Sequence, residues 1–354
     1  MQLRRPTAFV ALLLLGAGCS SGGPSTSQPR HVSRIVFAKN ERIWVADRDG
    51  HHKRFLVRGE EPEISPDGHW VAFYPCNACS LHVINADGGP VRLLAGRVDL
   101  DPPVWSPDSR HLATLGLTGG PNFDEQLVAL DRSTGKQRSI AVAPRILGYD
   151  FSPDGRQLAF AMSGTPDDLH SDVYITARDG GALRRLTWDD RSSSPVWRPD
   201  GSISFAHREG PLGPFGREKV WGKHRIWEIF QDGTGRRVVT RRLPKPPAAV
   251  LKDRLGLKPV AWSGEGRTLL AVSPTETGEY VYVVDSTGSI RSLGDHGYLG
   301  YASAMDISRD GRFILLWIQL DGADSRRTRV ELVPANGGPA RVIARDVGPP
   351  SWSR

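Results

Sequence analysis

The 354-residue sequence holds little of what metal sites and nucleophilic catalysis are built from. It has three cysteines, Cys19, Cys76 and Cys79. A structural zinc site takes four ligands, and no second C-x-x-C accompanies Cys76 and Cys79. No βαβ pattern surrounds that pair, which argues against a thioredoxin-type centre. Over residues 33–354 the G-x-S-x-G nucleophile elbow of serine hydrolases is absent. H-E-x-x-H and the EF-hand loop are absent as well. The ten histidines are scattered, and His207 and His224 make a poor metal pair without acid or thiol partners beside them. No long helical periodicity appears. No cofactor and no metal are therefore expected, and catalytic residues are not assigned.

The chain is basic, with a formal charge of +7, which in isolation suggests nucleic acid. The N-terminus points elsewhere. Arg4 and Arg5 precede the apolar run Ala8–Leu15, which is too short to span a bilayer, and small residues lead to Cys19. This resembles a bacterial lipoprotein signal peptide, although Gly16 stands where the pattern prefers Leu. The resemblance implies cleavage after residue 18, acylation of Cys19 (palmitate-type chains), and anchoring to a membrane on its extracytoplasmic side. The alternative is an ordinary secretory signal with Cys19 incidental. Residues 19–32 then form the lipidated Cys and a Ser/Gly/Pro tether. Loss of Arg4 and Arg5 leaves a charge of +5 on an exported protein that does not meet the chromosome. An anionic membrane surface, a wall polymer or an acidic partner suits that charge, as does Arg-rich coding with no partner at all. Outside the cytoplasm, Cys76 and Cys79 are expected to close a short loop as a disulfide; a redox-active pair is the other reading.

What the sequence has in abundance is one recurring turn. Copies read EISPDG (63–68), PVWSPDS (103–109), DFSPDG (150–155), PVWRPDG (195–201), AWSGEG (261–266), DISRDG (306–311) and PPSWSR (349–354). Pro presets the first corner, Asp can bond the backbone just ahead, and Gly takes φ > 0. Stepping from Ser65 to Ser353 through equivalent positions gives intervals of 41, 46, 46, 65, 45 and 45 residues. A period of about 40–45 residues made of strands is the length of a propeller blade. Three strand-like runs follow each turn, and Asp-Gly turns such as Asp87-Gly88 lead to the third. The unit that opens the domain lacks a W-S strand, and the last W-S strand lacks a unit. The expectation is an all-β fold, a seven-bladed β-propeller over 33–354, closed by the C-terminal strand completing the first blade.

The units P-x-W-S-P-D-G, I-A-F, I-Y-V-x-D-x-D-G-G and R-x-L-T resemble the WD40-like (PD40) repeat of TolB-type propellers, most closely in SPDGRQLAF and DVYITARDGGALRRLT. The TolB propeller has six blades, against seven units here. The same repeat builds the propellers of prolyl-oligopeptidase-like peptidases, so the resemblance implies fold more than function.

Strand parity places the S-P-D-G and Asp-Gly turns on one face and all long connections on the other. The largest are 207–224 and 241–259, rich in Arg and Lys with interleaved aromatics. Candidate partner-binding residues are Arg208, Phe215, Arg217, Lys219, Trp221, Lys223, His224, Arg241, Arg242 and Lys245. One helical turn is expected around 249–255. The expected function is a lipid-anchored, monomeric, non-catalytic scaffold of the cell envelope that binds a protein, a peptide or an anionic polymer on this face. The bland alternative makes these loops solvated cover. The second functional reading is an enzyme, a hydrolase or lyase, with its site at the central channel.

Overall fold

The computed structural model describes residues 33–76, 78–99, 101–118, 124–165, 170–209, 224–240, 256–275, 278–293, 302–319 and 327–354. The chain divides into two units, residues 1–30 and His31–Arg354, and the described residues all belong to the second. Every regular element among them is a strand, 28 in all, arranged as seven four-stranded antiparallel sheets. This is the seven-bladed propeller expected from the repeat.

The repeated turn works as its residues suggest. In the first complete copy Ser65 Oγ donates to Asp67 Oδ1 (2.5 Å) and accepts from Trp70 N (2.9 Å). Gly68 N donates to Ser65 O, and Gly68 takes a φ of 78°. Ser152 and Asp154 repeat this geometry, and the Ser152 hydroxyl and Arg156 N hold the Asp154 carboxyl below its usual range. In the third blade a serine, Ser109, takes the glycine place with φ 59°, and its Oγ accepts from Asp67 N of the neighbouring blade. In the fifth blade Arg198 replaces the serine; it covers the Trp262 ring and pairs with Glu228 at 3.1 Å.

Each blade is covered on both faces by its neighbours. Its second strand therefore reads as a continuous apolar run rather than an alternating one, as in Gln157–Ser163 and Phe313–Gln319. The core consists of seven apolar clusters, each between two consecutive blades. The cluster between the last and first blades holds Ile35, Phe37, Leu315, Val330 and Trp352. The ring closes there: Pro350–Trp352 pairs antiparallel with Arg34–Lys39, in the register Ile35 to Trp352 and Phe37 to Pro350.

Sheet order confirms the parity argument. The innermost strand of the second blade, Glu60–Ile64, runs through the S-P-D-G turn into Trp70–Tyr74, and Ser80–Asn85 turns at Asp87-Gly88 into Arg92–Gly96. Both turns therefore lie at the same end of the blade. The expected helical turn at 249–255 lies outside the described residues.

Candidate functional site

The innermost strands of all seven blades face a central channel. They are Pro350–Trp352, Glu60–Ile64, Val104–Trp105, Arg145–Phe151, Ser192–Trp197, Lys258–Trp262 and Ala302–Ile307. The channel encloses a cavity of about 550 Å³. In each strand the repeat's large apolar residue turns into the inter-blade core. The residue just before it therefore presents to the channel, because successive side chains alternate. Around the ring from the first blade, these positions are Ser351, Glu63, Val104, Asp150, Val196, Ala261 and Asp306, all lining the cavity.

Three of the seven are carboxylates, and they differ in their partners. Asp306 is fully engaged: Trp352 Nε1 donates to it at 2.8 Å, and Arg354 holds both oxygens, with Nε at 2.6 Å from Oδ2. Burial alone would lower the Arg354 pKa, but Asp306, with Asp150 and Glu63 adding, outweighs it and holds the guanidinium charged. Asp150 Oδ2 accepts from Trp197 N at 2.8 Å. Burial pushes Asp150 up to about 6, the Trp197 bond opposing. Glu63 sits beside Ser351; burial pushes it up to about 8, with Asp306 adding to the rise. Glu63 and Asp150 both keep some accessible surface on the channel, and among the described residues neither has an ion-pair partner.

Beside Glu63 the acidity extends to Glu61, Asp99 and Asp101 around Tyr74 and Tyr149. Burial first, then neighbouring charge, pushes the Tyr74 phenol up to about 12, and its hydroxyl donates to Asp101 O at 2.7 Å. No group of three metal-ligating side chains assembles among the described residues.

The loop residues singled out from sequence fare differently. Phe215, Arg217, Lys219, Trp221, Lys223, Arg241, Arg242 and Lys245 lie outside the described residues, as does Cys19. Arg208 and His224 are described, and both are built into the fifth blade as cross-strand partners. Arg208 is 4% exposed, so it offers no surface to a partner, contrary to the expectation for a loop residue. Its strand, Ser202–Arg208, is buried throughout between neighbouring blades. His224 is half-buried, with Gly256 packed against its ring and its carbonyl accepting from Leu257 N. His207 is also buried; it faces Ser192, Asp189 and Trp227, and burial lowers its pKa. Cys76 and Cys79 are free thiols in this structure.

The carboxylates of the channel were missed at the sequence level. The signal that finds them is a single alignment column. When the seven turns are aligned on their large apolar residue, the residue before it reads Ser, Glu, Val, Asp, Val, Ala, Asp.

No family model matches the chain. A TolB homolog from Chlorobium chlorochromatii is 31% identical over 142 residues, which is 37% of this chain and 31% of the relative. Dipeptidyl-peptidase 5 from Porphyromonas endodontalis is 23% identical over 337 residues, 92% of this chain and 44% of the relative. A solved puromycin-hydrolyzing peptidase from Mycobacterium tuberculosis superposes with a TM-score of 0.61 at 16% identity, over 90% of this chain and 55% of that one. The chain spans less than half the length of the curated relatives it matches. These likenesses support a TolB-like propeller and include peptidase-like proteins.

Proposed function

We propose that the chain is an exported, lipid-anchored envelope propeller that binds a ligand rather than transforming it. The ligand seats in the central channel, whose cavity is rimmed at the short-turn end by Pro66, Pro107, Pro153 and Pro199. The observation carrying this reading is the channel itself: a cavity of about 550 Å³ walled by every blade, carrying two carboxylates without ion-pair partners among the described residues. A pocket of that size with a few polar groups in apolar walls is the usual form of a binding site. The basic loops 207–224 and 241–259 supply long-range attraction for a protein, a peptide or an anionic polymer. The Tol-Pal connection in the name of a TolB relative from Anaeromyxobacter dehalogenans agrees with an envelope partner.

The test pairs two variants in a pull-down from envelope extract. One combines Arg217→Glu, Lys219→Glu, Trp221→Ala and Lys223→Glu; the other, Val104→Trp, plugs the channel. Both should recover less ligand than the wild type. Recovery by the loop route should also fall with salt, since the Debye length shrinks from about 10 Å at 0.1 M to about 3 Å at 1 M. Equal recovery by all three proteins at both salt levels refutes the reading.

The envelope assignment has its own check. Mass spectrometry of the exported protein should find diacylglyceryl on Cys19, and Cys76 and Cys79 should alkylate only after reduction. A different N-terminus with release into the medium counts against the anchor. Alkylation without reduction counts against the bridge.

One observation favours a second reading. Glu63 and Asp150 are pushed to different pKa values in one cavity, the pattern of an acid and a base with separate roles. An enzyme would turn over a substrate whose conversion stops in Glu63→Gln, whereas a binder releases its ligand unchanged.

A further inference from the structure

We propose that the short-turn end of the propeller is a membrane-docking face, held against an anionic phospholipid surface by a belt of arginines. The choice of a membrane rests on the exported, lipid-anchored reading above; the belt is a feature of the blades.

The repeat sets the belt. The outermost strand of every blade carries an arginine at one register: Arg54, Arg92, Arg138, Arg184, Arg237, Arg291 and Arg341. Each stands opposite the residue two places before the end of its blade's third strand. All seven therefore lie at the short-turn end, beside the Asp-Gly hairpins and their equivalents. Four of them reach across to the next blade's hairpin. Arg54 donates to Ala86 O, Arg92 to Ser133 O at 2.8 Å, Arg184 to Gln231 O and Arg291 to Ala335 O. A carbonyl acceptor orients a guanidinium without neutralising it. Arg54 pairs with Asp87 and Arg237 with Glu228. Arg92, Arg138, Arg184, Arg291 and Arg341 are exposed and have no ion-pair partner among the described residues.

The belt is the charge surplus of this end. In the S-P-D-G-type turns from 65–69 to 308–312, six acids meet six arginines. The hairpins, taken with Asp47, Asp131 and Asp285 that open them, balance to within one charge. Apolar side chains accompany the belt: Phe55, Val91, Leu93, Leu183 and Val342 are exposed, each one residue from a belt arginine. Arginines beside exposed apolar groups suit a bilayer interface, where the stems bury and the charges meet headgroups.

The chain path is an independent indication. Arg34 pairs with Asp47, where the first hairpin begins, so the described chain enters the propeller at the short-turn end. Thirteen residues, 20–32, lie between Cys19 and residue 33. A flexible Ser/Gly-rich segment of that length spans roughly 20 Å. An acyl chain on Cys19 would hold the short-turn end nearest the bilayer. A planar anionic partner also meets all seven blades at once, whereas a linear polymer crosses a stripe. Docked so, the proline rim of the channel faces the bilayer, and the end carrying the long connections points away from it.

The experiment measures co-sedimentation of the full chain with vesicles of equal parts phosphatidylglycerol and phosphatidylcholine, or of phosphatidylcholine alone. Cys19→Ser removes the acylation site, and all belt variants are compared in that background. The expected result is roughly tenfold tighter binding to the anionic vesicles at 0.1 M salt, with the preference lost at 1 M. Arg92→Gln, Arg138→Gln, Arg184→Gln, Arg291→Gln and Arg341→Gln together should abolish the preference. Lys at the same five positions should keep it. If the five-residue Gln variant fails to fold, Arg138→Gln with Arg341→Gln, neither of which is among the four carbonyl donors, should reduce the preference about threefold. Arg58→Gln, Arg97→Gln and Arg345→Gln remove charge from the opposite ends of three of these strands and should leave it unchanged. Equal binding of Cys19→Ser to both vesicles overturns the proposal. An unchanged preference in a folded Gln variant, or an equal loss in the opposite-end control, does the same. Tighter binding of soluble polyphosphate than of vesicles at equal phosphate also overturns it, making the belt a polymer site. Failure of the anchor alone reads differently: wild type and Cys19→Ser then bind neutral vesicles alike, while the preference for anionic vesicles persists and upholds the docking face.

Discussion

At the scale of single residues, Glu63 shows how a site can oppose stability. Its pKa in the fold, about 8, lies above the usual 4.5, so the native state prefers the protonated acid. A raised acid stabilises the fold fully below about pH 4.5, and that contribution is lost as pH rises through about 8. Glu63→Gln keeps the hydrogen-bonding shape without the charge. Wild type and variant should therefore melt together near pH 4.5 and diverge above it, the variant being higher by at least ~2 °C at pH 9. Differential scanning fluorimetry across that range checks it. A variant that melts lower at pH 9 would show that the carboxylate is stabilising. The turn acids behave in the opposite sense: Asp154 is held down by the Ser152 hydroxyl, so its contribution is present near neutrality and fades in acid.

At the scale of elements, the closing strand is the one whose loss opens the ring. Pro350–Trp352 pairs with Arg34–Lys39, and Ser353 extends the ladder, its N donating to Arg34 O and its Oγ accepting from Arg34 N. Trp352 is 3% exposed and is held by Asp306 at its Nε1. Trp352→Ala should cost about 3–5 kcal/mol, the range for truncating a buried aromatic residue. Deletion of Pro349–Arg354 should cost more and leave Arg34–Lys39 as an exposed edge, prone to pairing between molecules. Denaturant melts and size-exclusion profiles at two concentrations report these effects. A truncated protein that melts like the intact one and stays monodisperse would count against closure by this strand.

At the scale of the whole molecule, stability resides between blades. Each of the seven apolar clusters joins two neighbouring blades, so removing one blade uncovers two clusters. Open repeat arrays can melt from their ends. This ring has no end, and it should unfold in a single cooperative transition, with calorimetric and van't Hoff enthalpies in agreement. Two separated transitions would show that a group of blades is stable by itself. The same closure sets the charge pattern, with basic residues in the long connections and carboxylates gathered on the axis.

The sequence by itself determined the repeat, the number of blades, the strand that closes them and the end of each blade that carries long connections. These follow from local chemistry: Pro, Asp and Gly dictate a turn within a few residues, and a turn repeated seven times dictates a ring. It did not reveal Arg208 as a buried strand residue, because burial on both faces of a blade depends on neighbours distant in the chain. Nor did it reveal the channel site. Glu63, Asp150 and Asp306 each read locally as one polar residue before an apolar one, unremarkable in any alternating strand. Only closure of the propeller brings the three to one level of one channel. Tertiary structure then decided their chemistry, because Arg354 reaches Asp306 alone as an ion-pair partner and burial keeps the proton on Glu63 near neutrality.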